Sequence, residues 1–132
     1  MGFLKKHFGD RYRKNSYSQC GEDLIVDFLR KRIKLKYEFN YLDIGAFHPS
    51  RFSNTFYFYK KRFSGVCVEP NPDACNLIKT KRRRDSVINA GVGSDKCLAD
   101  FYVIKGGTLS TFSKEEAKKC EQNPVFNGHS QT

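Results

Sequence analysis

The chain has 132 residues, which gives room for one domain rather than two. Hydrophobic residues at 39% and aromatic residues at 14% are enough to form a core, which excludes a disordered tail. The formal net charge of +10 favours anionic partners such as nucleic acid, an anionic membrane surface or an acidic glycan. The basic clusters are scattered, however, and three of them follow predicted helices, where cations complement the helix dipole. We therefore expect solvated helix ends, and nucleic acid is the less favoured partner.

The cysteines and the amino-terminal residues bear on the cellular compartment. Five cysteines are an odd number, and no pair has the CxxC spacing of a zinc site, so we expect reduced thiols and no metal. Residues 1–17 predict a basic arm without the apolar stretch of a signal peptide. No apolar run is long enough to cross a membrane. These features predict a soluble, cytoplasmic protein.

The first predicted element is an amphipathic helix over residues 18–36. Acidic residues stand near its start and basic residues near its end, which is the polarity that the helix dipole favours. Two rows of apolar side chains recur at helical spacing: Leu24 and Phe28, then Ile25, Leu29 and Ile33.

Strands and helices then alternate along the chain. Short apolar runs predict three buried strands, at residues 40–46, 64–69 and 86–92. Two helices connect them, one capped by Ser53 and ending near Arg62, and one with Asn71 as N-cap and Pro72 as its first residue. Further on, the sequence predicts a strand or hairpin arm at residues 98–104 and a short helix from Lys114 to Cys120.

This order of elements predicts an α/β fold. Two consecutive strand–helix–strand units with right-handed crossovers give a parallel sheet. We therefore predict a Rossmann-like domain over residues 18–132, with helices on both faces of the sheet and strand order 3-2-1. Three strands make only the first half of such a sheet, so the fold is expected to be incomplete.

Two acidic residues end the first two predicted strands, where ligands of this fold bind. Asp43 stands in an apolar strand, which is costly unless it has partners, and it can order the next loop or face a cationic ligand. Gly45 follows and lets the backbone approach a ligand closely. Glu69 ends the second strand, where a carboxylate can accept both hydroxyls of a ribose, and Pro70 fixes the turn that aims it. The alternatives are a satisfied core Asp43 and a surface Glu69.

The ends of the first and third strands restrict the ligand further. Asn89, Ala90 and Gly91 end the third strand, where an amide or a free backbone group could bind an adenine edge. The loop after the first strand lacks the GxGxxG pattern that holds a diphosphate. This absence disfavours nicotinamide and flavin dinucleotides, and it is consistent with a phosphate-free nucleoside that carries a cationic sulfonium.

Together these residues resemble the FkbM-type methyltransferases. The resemblance spans roughly residues 16–113 and is carried by an ordered set of short stretches: Ser18 to Asp23, Tyr41 to Ala46 with His48 and Pro49, Ser53 to Thr55, Val68 to Pro72, Ile88 to Gly93 and Leu109 to Phe112. It implies a class I Rossmann-like enzyme that uses S-adenosylmethionine to O-methylate a hydroxyl, often on a sugar or a natural-product scaffold.

The resemblance also implies roles for individual residues. Asp43 and Gly45 would line the methionine side of the cofactor and Glu69 would hold its ribose, while Gln19 and Asp23 would close the pocket. The full predicted cofactor-binding set is Gln19, Asp23, Asp43, Gly45, Ala46, Glu69, Pro70, Asn89 and Ala90. No catalytic residue is assigned. His48 is a candidate general base, although a structural hydrogen-bonding role is the alternative.

The sequence departs from the family after the third strand. A fourth strand with an acidic-Gly-acidic stretch is not recognisable, and an open apolar strand edge favours aggregation. We therefore expect either a fragment of a longer protein or an oligomer in which another chain covers the edge of residues 41–46. Two other functions stay open. One is a non-catalytic or truncated cofactor-binding or interaction module, and the other is an RNA-directed methyltransferase.

Overall fold

The computed structural model describes residues 14–33, 38–104 and 108–123. Helices and strands alternate in chain order, which confirms the α/β class predicted from the sequence. Most of the predicted basic arm, residues 1–13, lies outside the described residues. The elements are α1 (Glu22–Arg32), β1 (Tyr41–Ile44), α2 (Phe56–Lys60), β2 (Gly65–Val68), α3 (Pro72–Lys81), β3 (Ser86–Ile88) and α4 (Lys114–Gln122).

The three strands form one parallel sheet in the order β1-β2-β3. Tyr41 pairs with Gly65 at one end of the β1–β2 ladder, and Val68 pairs with Ile88 at the far end of the β2–β3 ladder. The middle strand therefore has a neighbour on each side, and β1 and β3 are the edges. This arrangement is compatible with part of a Rossmann-like sheet, in which β2 also lies between its sequence neighbours.

The two faces of the sheet differ because successive side chains of a strand point to opposite sides. The closed face, defined here by Tyr41, Asp43, Cys67 and Val87, is covered by α3. Cys67 and Ile78 are fully buried there and form a small core with Ala46.

The opposite side is the open face, defined by Leu42, Ile44 and Ile88. These three side chains are 62%, 58% and 50% exposed, so within the described ranges no helix covers them. The prediction of helices on both faces is therefore wrong for the described part of the chain. Two right-handed crossovers that run in the same direction along the sheet return on the same side, which explains why both connecting helices leave this face bare.

α1 confirms the predicted helix but not its predicted length or its apolar face. It begins after Gly21, which has a left-handed backbone conformation (φ 90°), and it ends before Ile33, which is extended. Its buried residues are the acids Asp23 and Asp27. The predicted apolar side chains are instead exposed: Ile25, Phe28, Leu29 and Ile33.

Asp27 is buried because cations surround it. Its carboxylate lies 2.9 Å from Arg30 Nη2, 2.7 Å from Lys31 Nζ and 2.8 Å from Lys61 Nζ. The Tyr57 hydroxyl also donates to it. Burial opposes ionisation, but the hydrogen bonds from these side chains outweigh it and hold the pKa of Asp27 well below its ordinary value. This carboxylate thus ties α1 to α2.

Local capping signals placed the connecting helices correctly. Asn71 Oδ1 accepts from the backbone N–H of Asp73 at 2.9 Å, and Pro72 is the first residue of α3, as predicted. Ser53 Oγ accepts from Phe56 N at 3.1 Å at the start of α2. The predicted helix from Lys114 is also confirmed, with Ser113 as its N-cap.

The closed face ends in a buried ionic network around Arg82. Its guanidinium donates to Asp85 Oδ2 at 2.7 Å, Thr55 Oγ1 at 2.9 Å, Tyr41 OH at 3.2 Å and Ser53 Oγ at 3.3 Å. Arg82 is fully buried. The expectation that the basic cluster after α3 is solvated is therefore wrong for this residue, because Tyr41, Ser53 and Thr55 from distant parts of the chain join the nearby Asp85 around it.

Outside the sheet, a single antiparallel bridge between Tyr102 and Thr111 pairs the segments 101–104 and 108–112, and we call these two segments the hairpin. The predicted arm at residues 98–104 is thus present only as one bridged segment rather than as a regular strand. Over the three described ranges, every helix lacks the length and apolar character needed to cross a bilayer.

Candidate functional site

A cavity of about 540 Å³ lies at the carboxyl ends of the three strands. Its walls come from the strand ends and their loops, from the segment before α1, and from the hairpin segments 101–104 and 108–112. The described lining residues are Gln19, Ile44, Gly45, Phe47, Phe52, Val68, Glu69, Pro70, Ala90, Gly91, Val92, Phe101, Thr108, Ser110, Thr111 and Phe112. This volume is within the range of pockets that bury a small organic ligand.

Glu69 is the fixed acidic group of this cavity. It follows β2, and it is only 6% exposed. Its Oε2 accepts from Phe47 N at 2.8 Å and its Oε1 accepts from Asn71 N at 2.9 Å. Each carboxylate oxygen can accept more than one hydrogen bond, so both retain capacity for hydroxyl donors of a ligand. Glu69 therefore presents an oriented pair of acceptors at the centre of the three strand ends.

Asn89 stabilises the turn that carries Glu69. Its Nδ2 donates to the backbone oxygens of Glu69 at 2.9 Å and of Pro70 at 2.8 Å. Asn89 is not among the lining residues, whereas its neighbour Ala90 is. The side chain predicted to bind an adenine edge is thus engaged with the protein backbone.

The backbone after β1 approaches β2 closely. Gly45 N donates to Val68 O at 2.9 Å, and Gly45 has a positive φ of 72°, which a side chain would disfavour. Gly45 lines the cavity with no side chain in the way. Ala46 is buried in the core of the closed face and does not line the cavity.

Asp43 faces away from the cavity lining, into the closed face. The Thr55 hydroxyl donates to its Oδ2, and Arg82 Nη1 lies 3.9 Å from the same oxygen. The structure therefore brings Glu69 to the cavity wall and leaves Asp43 in contact with the Arg82 network. The two carboxylates that the sequence placed together at one ligand have different surroundings.

Asp23 also lies outside the cavity lining. Its carboxylate accepts from Ser16 Oγ at 2.7 Å, Tyr17 N at 2.8 Å and Ser18 Oγ at 3.1 Å. Burial opposes ionisation, but these hydrogen bonds outweigh it and lower the pKa of Asp23. Asp23 thus orders the turn before α1, and Gln19, in that turn, reaches the cavity.

The aromatic part of the cavity wall was not predicted from the sequence. Four phenylalanines line the cavity: Phe47, Phe52, Phe101 and Phe112. Phe112 lies in one of the stretches that carry the family resemblance, and this was the only sequence feature that could have pointed to it. The resemblance assigned no role to that stretch. Tyr102 and Thr111 exchange backbone hydrogen bonds of 2.9 and 3.1 Å, which brings this stretch back to the strand ends.

His48 does not have the geometry of a general base. Its Nδ1 accepts from Ser50 N at 3.1 Å and from Arg51 N at 2.9 Å. Burial and the charge of Arg51 lower the pKa of His48, which keeps the ring neutral. The neutral tautomer that accepts at Nδ1 carries its proton on Nε2, so neither nitrogen is free to take another proton. His48 therefore serves as a structural acceptor in its loop.

The family comparison agrees with this architecture. The Methyltransferase FkbM domain matches residues 43–130, which is well over half of the chain and includes the end of β1 together with all of β2 and β3. No curated protein and no solved structure gives a significant match. The chain belongs to the FkbM methyltransferase domain family.

Proposed function

We propose that this chain is a methyltransferase domain of class I Rossmann-like type that binds S-adenosylmethionine in the cavity at the strand ends. The domain would cover residues 18–132, with residues 1–17 as a separate basic arm. The single observation that carries the proposal is the position of Glu69. A buried carboxylate, oriented by two backbone N–H groups, lies at the end of the middle strand and lines the cavity.

The charge of the cavity fits this cofactor. The chain carries +10 overall, yet Glu69 is the only ionisable side chain among the described lining residues. A nucleotide phosphate would normally be met by basic side chains or by a glycine-rich loop at a helix start. A cationic sulfonium without phosphate is better suited to a wall with one carboxylate and several aromatic rings.

The described side chains would position the cofactor rather than take part in covalent chemistry. Glu69 would accept the ribose hydroxyls, and Gly45 would let the amino-acid part pass close to the backbone. Aromatic and aliphatic side chains would exclude water from the reacting atoms. When bound, the cofactor supplies an electrophilic methyl group, and the rate then depends on how well an acceptor atom is aligned with it.

We propose a hydroxyl on a sugar or natural-product scaffold as the methyl acceptor. Support comes from the polar lining residues, which are neutral hydrogen-bonding groups: Gln19, Thr108, Ser110 and Thr111. Such groups suit a neutral hydroxylated molecule better than an anionic one.

We also propose that the protein acts in the cytoplasm. All five of its cysteines are free thiols, which is typical of a reducing compartment.

Calorimetric titration with S-adenosylhomocysteine tests the cofactor proposal. Wild-type protein should bind, and Glu69→Gln should weaken binding about 10- to 100-fold, because a hydrogen bond to a charged group contributes about 1.5–3 kcal/mol. Glu115→Gln, an exposed change in the first turn of α4, is the matched control and should bind like wild type. Absence of binding by folded wild-type protein would refute the proposal.

A non-catalytic cofactor-binding module is the second candidate. It is favoured by the absence of a further ionisable group among the described lining residues, since Glu69 is assigned to the ribose and no other lining side chain could act as a general base. Transfer of a labelled methyl group to hydroxylated acceptors would separate the two candidates, because a binding module would bind the cofactor and produce no labelled product. The RNA-directed alternative gains nothing from the described cavity wall, which contains no Lys or Arg.

A further inference from the structure

We propose that Phe112 is the ring on which the adenine of the cofactor stacks, so that the hairpin segment 108–112 determines selectivity for a purine nucleoside. This inference rests on the proposed function, because it assigns one part of the same ligand. It adds a residue that the strand ends do not supply.

The order of the strands determines where the base and the sulfonium chain of the ligand can lie. A ribose held by Glu69 is at the end of the middle strand, and its base and its sulfonium chain must leave in different directions. One direction leads to the end of β1, where Gly45 offers only backbone. The other leads to the end of β3, where Ala90 and Gly91 lie beside the hairpin. Aromatic rings line both ends of the cavity, so the position of a flat base depends on which rings are free of other partners.

Gly91 and Phe112 are in close contact. A Cβ atom added at Gly91 would lie 2.3 Å from Phe112 Cζ, so the ring packs where a side chain would otherwise be. Phe112 is also 4.8 Å from Phe101 between ring centroids. It is still 46% exposed although it lines the cavity, which leaves ring surface for a ligand.

The backbone on both sides of Phe112 is held in place. Thr111 forms the antiparallel bridge with Tyr102, and its Oγ1 accepts from Ser113 N at 3.0 Å. Ser113 in turn caps α4 by accepting from Glu116 N. A ring fixed in this way needs little reordering when a base binds, which favours affinity.

The other aromatic pair of the cavity is less suited to a base. Phe47 and Phe52 both have Arg51 near their rings, with guanidinium-to-centroid distances of 5.6 and 5.9 Å. A cation therefore already occupies the space beside these two rings. Among the four lining phenylalanines, Phe112 and Phe101 have no such neighbour in the described contacts, and only Phe112 also packs on a strand-end loop through Gly91.

Two ligands that differ only by the base test the inference. Titrations of wild type and Phe112→Ala would use S-adenosylhomocysteine and S-ribosylhomocysteine, which lacks the adenine. We expect the variant to lose affinity for the first ligand by about 5- to 150-fold, which is the range that base–aromatic stacking contributes, and to bind the second as wild type does. Equal losses for both ligands, or no loss for either, would overturn the inference.

Controls separate stacking from damage to the fold. Phe28→Ala removes an equally exposed phenylalanine from α1, outside the cavity lining, and should leave both affinities unchanged. Gly91→Ala would displace the ring without removing it, and it should selectively weaken S-adenosylhomocysteine.

A spectroscopic measurement covers the case in which the adenine-free ligand binds too weakly to titrate. A base stacked on Phe112 should show upfield shifts of its H2 and H8 protons in the NMR spectrum of the bound ligand. Phe112→Leu keeps the apolar bulk and should abolish these shifts, whereas unchanged shifts would overturn the inference. Failure of folded wild-type protein to bind S-adenosylhomocysteine at all would instead refute the proposed function.

Discussion

The two faces of the sheet are stabilised in different ways. The closed face buries a charged network, with Arg82 at its centre and Asp85 as its nearest carboxylate. The open face exposes Leu42, Ile44 and Ile88 although parallel sheets usually bury both sides. Hydropathy alone would have predicted that Leu42, Ile44 and Ile88 are buried and that Arg82 is exposed. The difference teaches that the crossover helices, which return on one side, decide which residues of this small sheet become core.

The largest expected effect is the difference in reactivity between the buried thiol of the closed face and the exposed thiols. Burial, with the nearby carboxylates, raises the pKa of Cys67 on the closed face to about 12, whereas Cys20 and Cys97 are exposed. A rise of that size from 9.0 reduces the thiolate fraction of Cys67 about a thousandfold. We expect iodoacetamide to label Cys20 and Cys97 in the native protein, and Cys67 only after unfolding, as read by peptide mass spectrometry. Rapid native labelling of Cys67 would show that the closed face opens readily.

Removal of the central cation should have the next largest effect. Arg82→Met leaves the fully buried carboxylate of Asp85 without its cationic partner and should lower the free energy of unfolding by about 3–5 kcal/mol. Denaturant titration followed by circular dichroism measures this change. Arg83→Met, at the exposed neighbouring position, should change stability by less than about 0.5 kcal/mol. Similar losses in both variants would mean that the network contributes no specific stability.

The stability that Asp27 contributes by linking α1 to α2 should depend on pH. The pKa of Asp27 is lowered in the folded state, so the unfolded chain binds more protons as the pH falls. The stabilisation is therefore complete above the ordinary value of 3.8 and is lost progressively below it. Asp27→Asn should be less stable near neutral pH, and its stability should fall less steeply below pH 4 than that of wild type. Parallel curves for the two proteins would contradict this linkage.

The smallest effect is expected on the open face. Leu42→Thr introduces a β-branched residue, which is suited to a strand, at a position that is already 62% exposed. We expect a change in the free energy of unfolding of less than about 0.5 kcal/mol. Ile78→Thr, on the fully buried side of α3, is the contrasting variant and should be strongly destabilising. A large loss for Leu42→Thr would indicate that the open face is covered in solution.

The features that could be predicted from the sequence were mainly local. The Asn71–Pro72 cap, the three strands and the helix from Lys114 depend on neighbouring residues, and all are confirmed. The burial of Arg82 could not be predicted, because it lies in a run of basic residues and its partners are up to 41 positions away.

The candidate site was predicted in the same uneven way. Gln19, Gly45, Glu69, Pro70 and Ala90 line the cavity, and each of the last four stands at or directly after a predicted strand end. Asp43 was expected beside them because of its position in sequence, but its contacts with Thr55 and Arg82 depend on tertiary packing. The Phe112–Gly91 contact joins residues 21 positions apart through a hairpin with a single bridge, so no sequence period indicates it.

The contrast between a strongly basic chain and a cavity wall whose described residues include no Lys or Arg has a kinetic consequence for the proposed function. The proposed cofactor, S-adenosylmethionine, is a net cation, whereas its demethylated product is neutral overall. Long-range repulsion should slow the capture of the first molecule at low ionic strength and hardly affect the second. Added salt should therefore speed the uptake of substrate relative to product and so reduce product inhibition.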